Sequence, residues 1–423
     1  MKYIYYSIGL MSGTSLDGLD IALCQFEKYK KKDQQKNFSL WNYKIIKTEF
    51  VEYDKIWKQN LQNAHLLSAF ELKKLETEWT QFLIESVNKF VLQNPTFDFS
   101  SLDCISSHGH TIFHQPSQKN GAEDYKILKD KNNHEIGFTL QMGNGAMLSA
   151  QTGFDVVCDF RQTDVALGGQ GAPLVPIGDQ LLFSDYDFCL NLGGIANISF
   201  NKNKGDKNKT SDEIINSRFA FDICPCNMVL NYLSSQLGFE YDSGGKLAKE
   251  GKINDIVLQK LNDLDFYKQN YPKSLGREWV EGFIFPLLEV KEINQEETNQ
   301  KIEQKTKDLL HTCTYHSSFQ IAESVKKIEL TLPKSQIKRK LLVTGGGAYN
   351  DLLINYLKEL LPTIEVEKGN KTLIAYKEAL IFAFLGILRL RGEINTLASV
   401  TGATKNSCGG SIYLAESSIT LES

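Results

Sequence analysis

Residues 8–26 read IGLMSGTSLDGLDIALCQF, two apolar runs separated by a segment rich in Ser, Gly, Thr and Asp. In the second run Leu19, Ile21 and Leu23 alternate with smaller or polar residues, which is the period of a half-buried β-strand. The stretch therefore predicts two strands joined by a turn over residues 12–18, close to the start of the sequence.

The turn has the composition of a phosphate-binding loop. A phosphate needs backbone N–H groups close to it, and Gly13 and Gly18 carry no side chain that would obstruct the approach. Thr14 and Ser15 add hydroxyl donors. The alternative is a hairpin turn without a ligand, because Asp17-Gly18 is by itself a common hairpin signal.

A second strand–turn–strand pattern follows about half a chain later. Phe188–Asn191 and Ile195–Phe200 flank Gly193-Gly194, and further on Leu341–Thr344 leads into Gly345–Gly347 and a helical pattern. Strands that alternate with helices indicate an α/β architecture. The recurrence predicts a duplicated unit, with one copy in each of two domains and a cleft between them.

Chain length, net charge and cysteine count exclude several classes of protein. A chain of 423 residues is too long for one hydrophobic core, which favours two domains. A net charge of −4 gives no electrostatic reason to expect a nucleic-acid partner. Eight cysteines without a Cys-x-x-Cys pair favour reduced thiols and a cytoplasmic location. The sequence contains no run of about 18 apolar residues, so we expect no membrane span. The apolar run after Lys2 is too short for a signal peptide.

Four further segments have simple interpretations. Apolar residues recur at helical spacing over 67–93, which predicts an amphipathic helix. Residues 28–37 read as a charged loop. Residues 201–217 and 291–308 are rich in Lys, Asn, Gln and Glu, and we interpret them as surface insertions that bury little and carry no chemistry.

Standard nucleotide motifs are absent, since the chain has no G-x-x-x-x-G-K-[ST] segment. Instead, a series of motifs resembles the anhydro-N-acetylmuramic acid kinases, which belong to the sugar kinase, Hsp70 and actin superfamily. In chain order the segments are MSGTSLDGLDIAL, SSHGHTIFHQP, DFRQTDVALGGQGAPLVP, LNLGGIANIS, TGGGAYNDLL, EALIFAFL and SVTGA. The series runs from residue 8 to about residue 413.

The resemblance implies two duplicated RNase-H-like domains of the actin-like ATPase type, with a central cleft for nucleotide and sugar. The first domain would span residues 1–185 and the second 186–423, with 376–423 a candidate for packing back on the first. ATP would lie between the two glycine hairpins, and Gly345–Gly347 would lie by the adenosine. The ATP-binding residues so implied are Gly13, Thr14, Ser15, Leu16, Asp17, Gly18, Leu19, Asp20, Gly193, Gly194, Asn197, Gly345, Gly346, Gly347 and Asn350.

The family's reaction has two parts. Water opens the 1,6-anhydro bridge of the sugar at C1, and O6 takes the γ-phosphoryl group of ATP, giving N-acetylmuramic acid 6-phosphate for peptidoglycan recycling. By resemblance Asp164 is the catalytic aspartate and Glu378 a second catalytic acid at the start of the helix YKEALIFAFLGIL. The alternatives are that Asp164 caps a surface turn and that Glu378 only complements its helix dipole.

Other residues are implied as ligands of the sugar or of the Mg²⁺ that phosphoryl transfer needs. His108, Gln141, Gly169 and Gln170 would bind the sugar, and Asp17 and Asp222 would bind the metal. Asp159 could hold Arg161 or contact Mg²⁺, and of the two we favour a buried ion pair between Asp159 and Arg161. The spacing His108, His110, His114 could hold zinc, although no fourth ligand completes the set.

The chain departs from the family pattern at two places. His110 stands where the family usually has Gln, and Cys224 and Cys226 replace two glycines of the motif FDTGPGN. If those glycines require positive φ or a close ligand approach, the segment must have shifted. Two other functions stay open at this point, a kinase of the same fold for another sugar and a non-catalytic sugar sensor. The oligomeric state is also open, with a homodimer as one option.

Overall fold

The structure is a computed structural model that describes residues 2–13, 15–29, 41–117, 128–133, 135–204, 206, 209–288 and 299–416. The chain forms two compact units, one made of residues 1–184 and 376–423 and the other of residues 185–375. The chain therefore enters the second unit after Ser184 and returns to the first at Tyr376.

The strands within the described residues are β1 (Lys2–Ser12), β2 (Gly18–Tyr29), β3 (Trp41–Glu52), β4 (Cys104–Ser107), β5 (His110–Gln115), β6 (Phe138–Met142), β7 (Val156–Cys158), β8 (Phe188–Leu192), β9 (Ile195–Asn201), β10 (Arg218–Pro225), β11 (Arg339–Thr344), β12 (Ile364–Lys368) and β13 (Ser411–Tyr413).

The helices within the same residues are α1 (Lys55–Asn63), α2 (Ala69–Gln93), α3 (Gly145–Thr152), α4 (Gln162–Ala166), α5 (Val175–Leu182), α6 (Ser211–Ile215), α7 (Asn227–Gln236), α8 (Lys246–Lys249), α9 (Asp255–Asn262), α10 (Arg277–Trp279), α11 (Phe285–Leu288), α12 (Asn299–Glu329), α13 (Asp351–Leu360), α14 (Lys371–Leu390) and α15 (Ala398–Thr401). A π-helical turn covers Val280–Ile284, and short 3₁₀ turns cover Ala64–Leu66, Phe99–Ser101, Ser243–Gly245, Asp265–Lys268 and Gly346–Tyr349.

Both units contain a sheet of the same topology. In the first unit the order is β3-β2-β1-β4-β7, with β13 added at the edge beside β7. In the second unit the order is β10-β9-β8-β11-β12. In each sheet the first three strands form an antiparallel meander and the next two are parallel to its first strand. This RNase-H-like order, found twice, confirms the predicted α/β class and its duplication.

The helix predicted over 67–93 is α2, which begins after the N-cap Ser68. Ser68 and Glu71 form a reciprocal capping box, which satisfies free N–H groups of the first turn. The buried face of α2 includes Leu75, Trp79 and Leu83, which pack into the core of the first unit with Ile8 and Leu10 of β1 and other apolar residues. The apolar periodicity therefore gave both the helix and its buried face.

Helix α14 packs closely against β1. A Cβ on Gly9 would overlap the carbonyl group of Ala379, so only glycine fits at this position of β1. The prediction that this helix starts at Glu378 is wrong, because α14 begins at Lys371 and passes through a non-helical residue, Tyr376 (φ −118°, ψ 17°). Glu378 therefore lies two residues after a kink inside a longer helix.

The interpretation of two segments as pure insertions is also wrong in part. Residues 299–308 form the first turns of α12, and Thr306 is buried there. At the ends of 201–217, Asn201 and Ser217 are buried and hydrogen-bonded to each other. Of the predicted charged loop 28–37, residues 28 and 29 belong to β2 and residues 30–37 lie outside the described part of the chain. Over the ranges that the structure describes, no helix is long and apolar enough to cross a membrane.

Candidate active site

The turn between β1 and β2 is organised by Asp17. Its Oδ1 accepts hydrogen bonds from the hydroxyl of Ser15 (2.6 Å) and from the backbone N–H of Gly18 (3.1 Å). Leu16 takes the left-handed conformation (φ 58°), which turns the chain back toward β2. Asp17 thus has the structural role that the Asp-Gly signal suggested, and its second carboxylate oxygen lies outside these hydrogen bonds.

Packing does not require glycine at position 13. A Cβ built on Gly13 would lie 3.6 Å from the nearest heavy atom, the hydroxyl oxygen of Ser15. Gly18 differs, since its Cβ would approach the carbonyl oxygen of Val51 to 2.5 Å. The packing of the fold therefore explains the glycine at position 18 but not the one at position 13, for which space for a ligand is the better explanation. Thr14, also assigned to this site, lies outside the described residues.

A buried chain of hydrogen bonds holds the end of β1, next to the β1–β2 turn. Tyr53 donates its hydroxyl to Oγ of Ser12 (2.7 Å), and that Oγ lies 2.9 Å from Nδ1 of His110. Burial lowers the pKa of His110 to about 4, which keeps the imidazole neutral at physiological pH. At position 110, where the family usually has Gln, a neutral imidazole therefore contacts Ser12, the last residue of β1.

Three carboxylates of the first unit influence each other electrostatically near this turn. Burial, together with the negative charges of Asp17 and Glu378, raises the pKa of half-buried Asp20 to about 7. The Glu378 side chain is exposed to solvent, yet desolvation by the surrounding protein raises its pKa, opposed by the positive charges of Arg161 and Lys377. The close packing of Gly9 on Ala379 fixes Glu378 relative to β1.

Asp164 lies in the first turn of α4 and is completely buried. Its Oδ1 accepts a hydrogen bond from Oγ1 of Thr401 (2.8 Å), and its Oδ2 accepts one from the backbone N–H of Gly171 (2.7 Å). A Cβ on Gly169 would overlap Oδ2. Burial raises the pKa of Asp164, while the two hydrogen bonds lower it. The backbone of 168–171 therefore covers this carboxylate, and the alternative of a surface cap is wrong.

The predicted ion pair between Asp159 and Arg161 is wrong. Arg161 donates from Nη1 to the carbonyl of Gly171 (2.7 Å) and from Nη2 and Nε to Nε2 of His108 (2.9 and 3.3 Å). Asp159 has a left-handed backbone (φ 57°), and its carboxylate accepts instead from the thiol of Cys158. The turn after β7 thus directs the two charged groups to different partners.

The remaining sugar-site candidates lie close to this group. Gln141 is buried and donates from Nε2 to Oγ1 of Thr139 (2.7 Å), whereas its Oε1 has no hydrogen-bond partner among the described residues. Gln170 donates its backbone N–H to the carbonyl of Thr401 (2.8 Å). Sequence reasoning missed Thr401, although it lies in the SVTGA motif, because a hydroxyl in a small-residue segment gives no sign of its partner.

In the second unit, the turn between β8 and β9 is held by the start of α7. The carbonyl of Gly193 accepts from the N–H of Asn227 (3.1 Å), and that of Gly194 accepts from Cys226 (2.9 Å) and Met228 (3.1 Å). With their carbonyls fixed in this way, the two glycines have an ordered backbone. No atom lies closer than 3.4 Å to a Cβ on either glycine, so the fold leaves both positions open.

The Gly345–Gly347 turn packs directly on this hairpin. A Cβ on Gly345 (φ 80°) would lie 2.6 Å from Oδ1 of Asn191, and one on Gly347 would lie 2.7 Å from Cβ of Leu192. Gly346 meets no such contact. Glycine at 345 and 347 is therefore needed for packing, which brings this turn and the β8–β9 turn together within the second unit.

Asn350, Asn197 and Asp222 occupy different parts of the second unit's sheet end. Asn350 is buried and caps α13, since its Oδ1 accepts from the N–H of Leu353 (3.1 Å). Asn197 on β9 pairs with Asn191 on one side and Asp222 on the other. Oδ2 of Asp222 accepts from the hydroxyl of Ser274 and the N–H of Leu275, while burial raises its pKa.

Gly245 is a residue that sequence reasoning missed at this site. It takes a left-handed conformation (φ 72°), and a Cβ there would overlap Oδ1 of Asn350. The segment Asp242-Ser243-Gly244-Gly245 therefore lies against the loop that follows Gly345–Gly347. The Gly-Gly pair was the available signal, but a glycine turn that does not follow a strand is common in loops.

Sequence comparison gives the relationship of the whole chain. The profile of the anhydro-N-acetylmuramic acid kinase family matches residues 5–415. The chain belongs to this family. It is 33% identical to the anhydro-N-acetylmuramic acid kinase of Clostridioides difficile (strain 630), over 96% of this chain and 98% of that protein. It is 31% identical to that of Haemophilus influenzae, over 98% of both chains. The resemblance inferred from the motif series is confirmed.

Solved structures give only weak similarity. The activator of the 2-hydroxyisocaproyl-CoA dehydratase from Clostridium difficile with bound ADPNP matches with a TM-score of 0.40 and 9% identity, over 91% of this chain and 97% of that one. A hexokinase matches with a TM-score of 0.38 and 12% identity, over 90% and 85% of the two chains. The strand order of the two sheets remains the direct basis for the fold.

Within this kinase family the two cysteine replacements leave the backbone outside the left-handed region. Neither Cys224 nor Cys226 has positive φ, and the strand pairing absorbs a bulge between Asp222 and Cys224. Both thiols are free and buried. Cys226 precedes α7 and still donates its N–H to Gly194. The departure from FDTGPGN is therefore compatible with an ordered β8–β9 turn.

The histidines and acids assigned to metals have other partners. His108, His110 and His114 lie against Arg161, Ser12 and Thr139 respectively. Over the described part of the chain, no three His, Cys, Asp or Glu side chains are grouped as a metal site. Asp17 and Asp222 lie in different units, and each keeps one oxygen outside the hydrogen bonds described above.

Gly13→Val should weaken ATP binding while the fold is retained. Its side chain would occupy the open space beside the turn, where we expect the phosphates to approach. Titration calorimetry with ATP would measure the loss, and a thermal melt would show that the protein is folded. Unchanged ATP affinity in a folded Gly13→Val protein would contradict the assignment of this turn.

Proposed function

We propose that this chain is an ATP-dependent kinase that opens 1,6-anhydro-N-acetylmuramic acid with water and phosphorylates O6. The product would be N-acetylmuramic acid 6-phosphate. The observation that supports this most strongly is the environment of Asp164, a buried carboxylate with raised pKa held by Thr401 and Gly171 in the motif that resembles the family's catalytic segment.

Asp164 is the proposed general base. A base works best when its pKa lies near the working pH, and burial moves the pKa of this carboxyl in that direction. Asp164 would take a proton from water as the water oxygen attacks C1 and the C1–O6 bond breaks. O6 would then carry the electron pair that bonds to the γ-phosphorus, and ADP would leave. In this scheme the backbone of 168–171, which now covers Asp164, must move to admit water.

Glu378 is the proposed second acid of the site. Its side chain is exposed, and the charges of Asp17 and Arg161 both act on its pKa. Glu378 therefore lies within electrostatic range of the β1–β2 turn and of the segment that contains Arg161 and Asp164. We propose that it orients sugar hydroxyls or water. The β1–β2 and β8–β9 turns would donate backbone N–H groups to the phosphates of ATP.

Mg²⁺ is the proposed metal. Carboxylate oxygens are the ligands that Mg²⁺ prefers, and it commonly takes one or two of them together with substrate phosphates. Asp17 and Asp222 are the proposed carboxylate ligands, and each has one oxygen outside the hydrogen bonds described above. When bound, Mg²⁺ would neutralise charge on the phosphates. A cytoplasmic location is proposed because none of the eight cysteines, all of which lie within the described residues, forms a disulfide.

The test is a substrate panel. The purified chain is incubated with ATP, Mg²⁺ and one of three sugars: 1,6-anhydro-N-acetylmuramic acid, N-acetylmuramic acid or glucose. We expect ADP release and a phosphorylated sugar with the anhydro acid, identified by mass spectrometry. Phosphorylation of glucose alone, or no phosphorylated product with any sugar, would contradict the proposal.

A further inference from the structure

Among the residues that the structure describes, Arg161 hydrogen-bonds to no carboxylate. It directly precedes α4, three residues before Asp164, and its hydrogen bonds go to two neutral groups, the imidazole of His108 and the carbonyl of Gly171. A guanidinium has five N–H donors, and these contacts use three of them. Counted over the described part of the chain, two donors therefore remain for another acceptor.

The groups around Arg161 are held neutral or are already occupied. Nδ1 of His108 lies 2.8 Å from the carbonyl of Gly109, so Nδ1 carries the proton and Nε2 accepts from Arg161. Burial and the charge of Arg161 lower the pKa of His108 to about 3 and that of His114 to about 4. Both oxygens of Asp164 accept from Thr401 and Gly171.

The charge itself persists at physiological pH. Burial lowers the pKa of Arg161 to about 10, and the negative charge of Glu378 opposes that effect. Glu378 nevertheless forms no ion pair with Arg161 within the described residues, where Arg161 bonds only to His108 and Gly171. A partly buried cation with neutral partners is costly unless an anion completes it.

We propose that Arg161 binds the carboxylate of the sugar's lactyl group and makes the site selective for an acidic anhydro sugar. This inference rests on the proposed function, which supplies a substrate with one carboxylate. The planar guanidinium matches a carboxylate and can bond it through two N–H groups. The position of Arg161 three residues before Asp164 would anchor the sugar next to the proposed base.

The γ-phosphoryl group of ATP is the other anion that could use these donors. Each unit, however, has a glycine turn with open space for phosphate, whereas Arg161 lies on the β7–α4 segment among His108, His114 and Gly171. We therefore assign Arg161 to the sugar acid, and the experiment separates the two anions.

The experiment compares two sugars that differ only in the lactyl group, 1,6-anhydro-N-acetylmuramic acid and 1,6-anhydro-N-acetylglucosamine. Wild-type protein should bind the acid about 10- to 100-fold more tightly, the range expected for hydrogen bonds to a charged group. Arg161→Gln should lose this preference by weakening acid binding alone, and Arg161→Lys should keep part of it. The dissociation constant for ATP should not change.

The matched control is Arg391→Gln. Arg391 lies in the same unit and already pairs with Glu393 (2.7 Å), so its removal should leave the sugar preference unchanged.

The proposal is overturned if the wild type binds both sugars equally. This arm needs no variant, so the proposal remains testable even if Arg161→Gln does not fold. It is also overturned if Arg161→Gln keeps the preference and slows both sugars equally, which would assign Arg161 to the phosphoryl group. If the wild type phosphorylates neither sugar yet prefers the acid in binding, the proposed function fails while the Arg161 contact stands.

Discussion

Asp164→Asn should turn over at least ~10²-fold more slowly than the wild type, with near-normal binding of ATP and sugar, because an amide cannot accept the proton from water. The fold should tolerate the change. The amide oxygen can accept from the N–H of Gly171, and the amide nitrogen can donate to the hydroxyl of Thr401, which already lies 3.3 Å from the carbonyl of Leu397. Steady-state kinetics and calorimetry would separate turnover from binding. Near-normal turnover would place the base elsewhere, with Glu378 the first residue to test.

Thr401→Val provides a second measurement on the same carboxyl. The hydroxyl of Thr401 stabilises the ionised form of Asp164 and lowers its pKa, so removing that hydrogen bond should raise the pKa. A base is active when deprotonated, and the acidic limb of the pH–rate profile should therefore shift to higher pH. A profile that does not move would show that Asp164 does not control this limb.

Gly9→Val should destabilise the protein by about 3 kcal/mol or more, near the upper end for overpacking, because its Cβ would meet backbone atoms of Ala379 and Ala383. For a unit of this size the loss corresponds to a fall in Tm of about 6–12 °C. Displacement of α14 from β1 would also move Glu378, so the folded fraction should turn over more slowly.

Gly13→Ala is the matched control for stability. It adds a side chain to the same β1–β2 segment, but in open space 3.6 Å from the nearest atom. Its free energy of unfolding should stay within about 0.5 kcal/mol of the wild-type value. Equal Tm values for Gly9→Val and the wild type would contradict the close packing of β1 on α14.

The parts of the fold that follow from local patterns could be predicted from the sequence. The two strand–glycine–strand stretches and the periodicity of α2 identified elements whose bounds agree with the structure to within a few residues. The start of α14 could not be predicted, because residues 371–375 lack the continuous apolar pattern and Tyr376 interrupts the helix. Residues 299–308 were misjudged because the exposed positions of a long helix have the same polar composition as a loop.

Side-chain partners at the site were harder to predict. The motif series singled out Asp164 and Arg161, yet the contacts with Thr401 and His108 join segments more than 50 residues apart. The ion pair expected between Asp159 and Arg161 failed because the left-handed backbone of Asp159 turns the two side chains to different neighbours. Sequence proximity gives no information about such directions.

The location of an ¹⁸O label tests the central claim most directly. The reaction is run with ATP and 1,6-anhydro-N-acetylmuramic acid in ¹⁸O-labelled water, and the products are analysed by mass spectrometry. If Asp164 activates water for attack on C1, the label should appear at C1 of the phosphorylated sugar and not in its phosphate. Label in free phosphate with the anhydro bridge intact would contradict the account, because water would then have attacked ATP instead of the sugar.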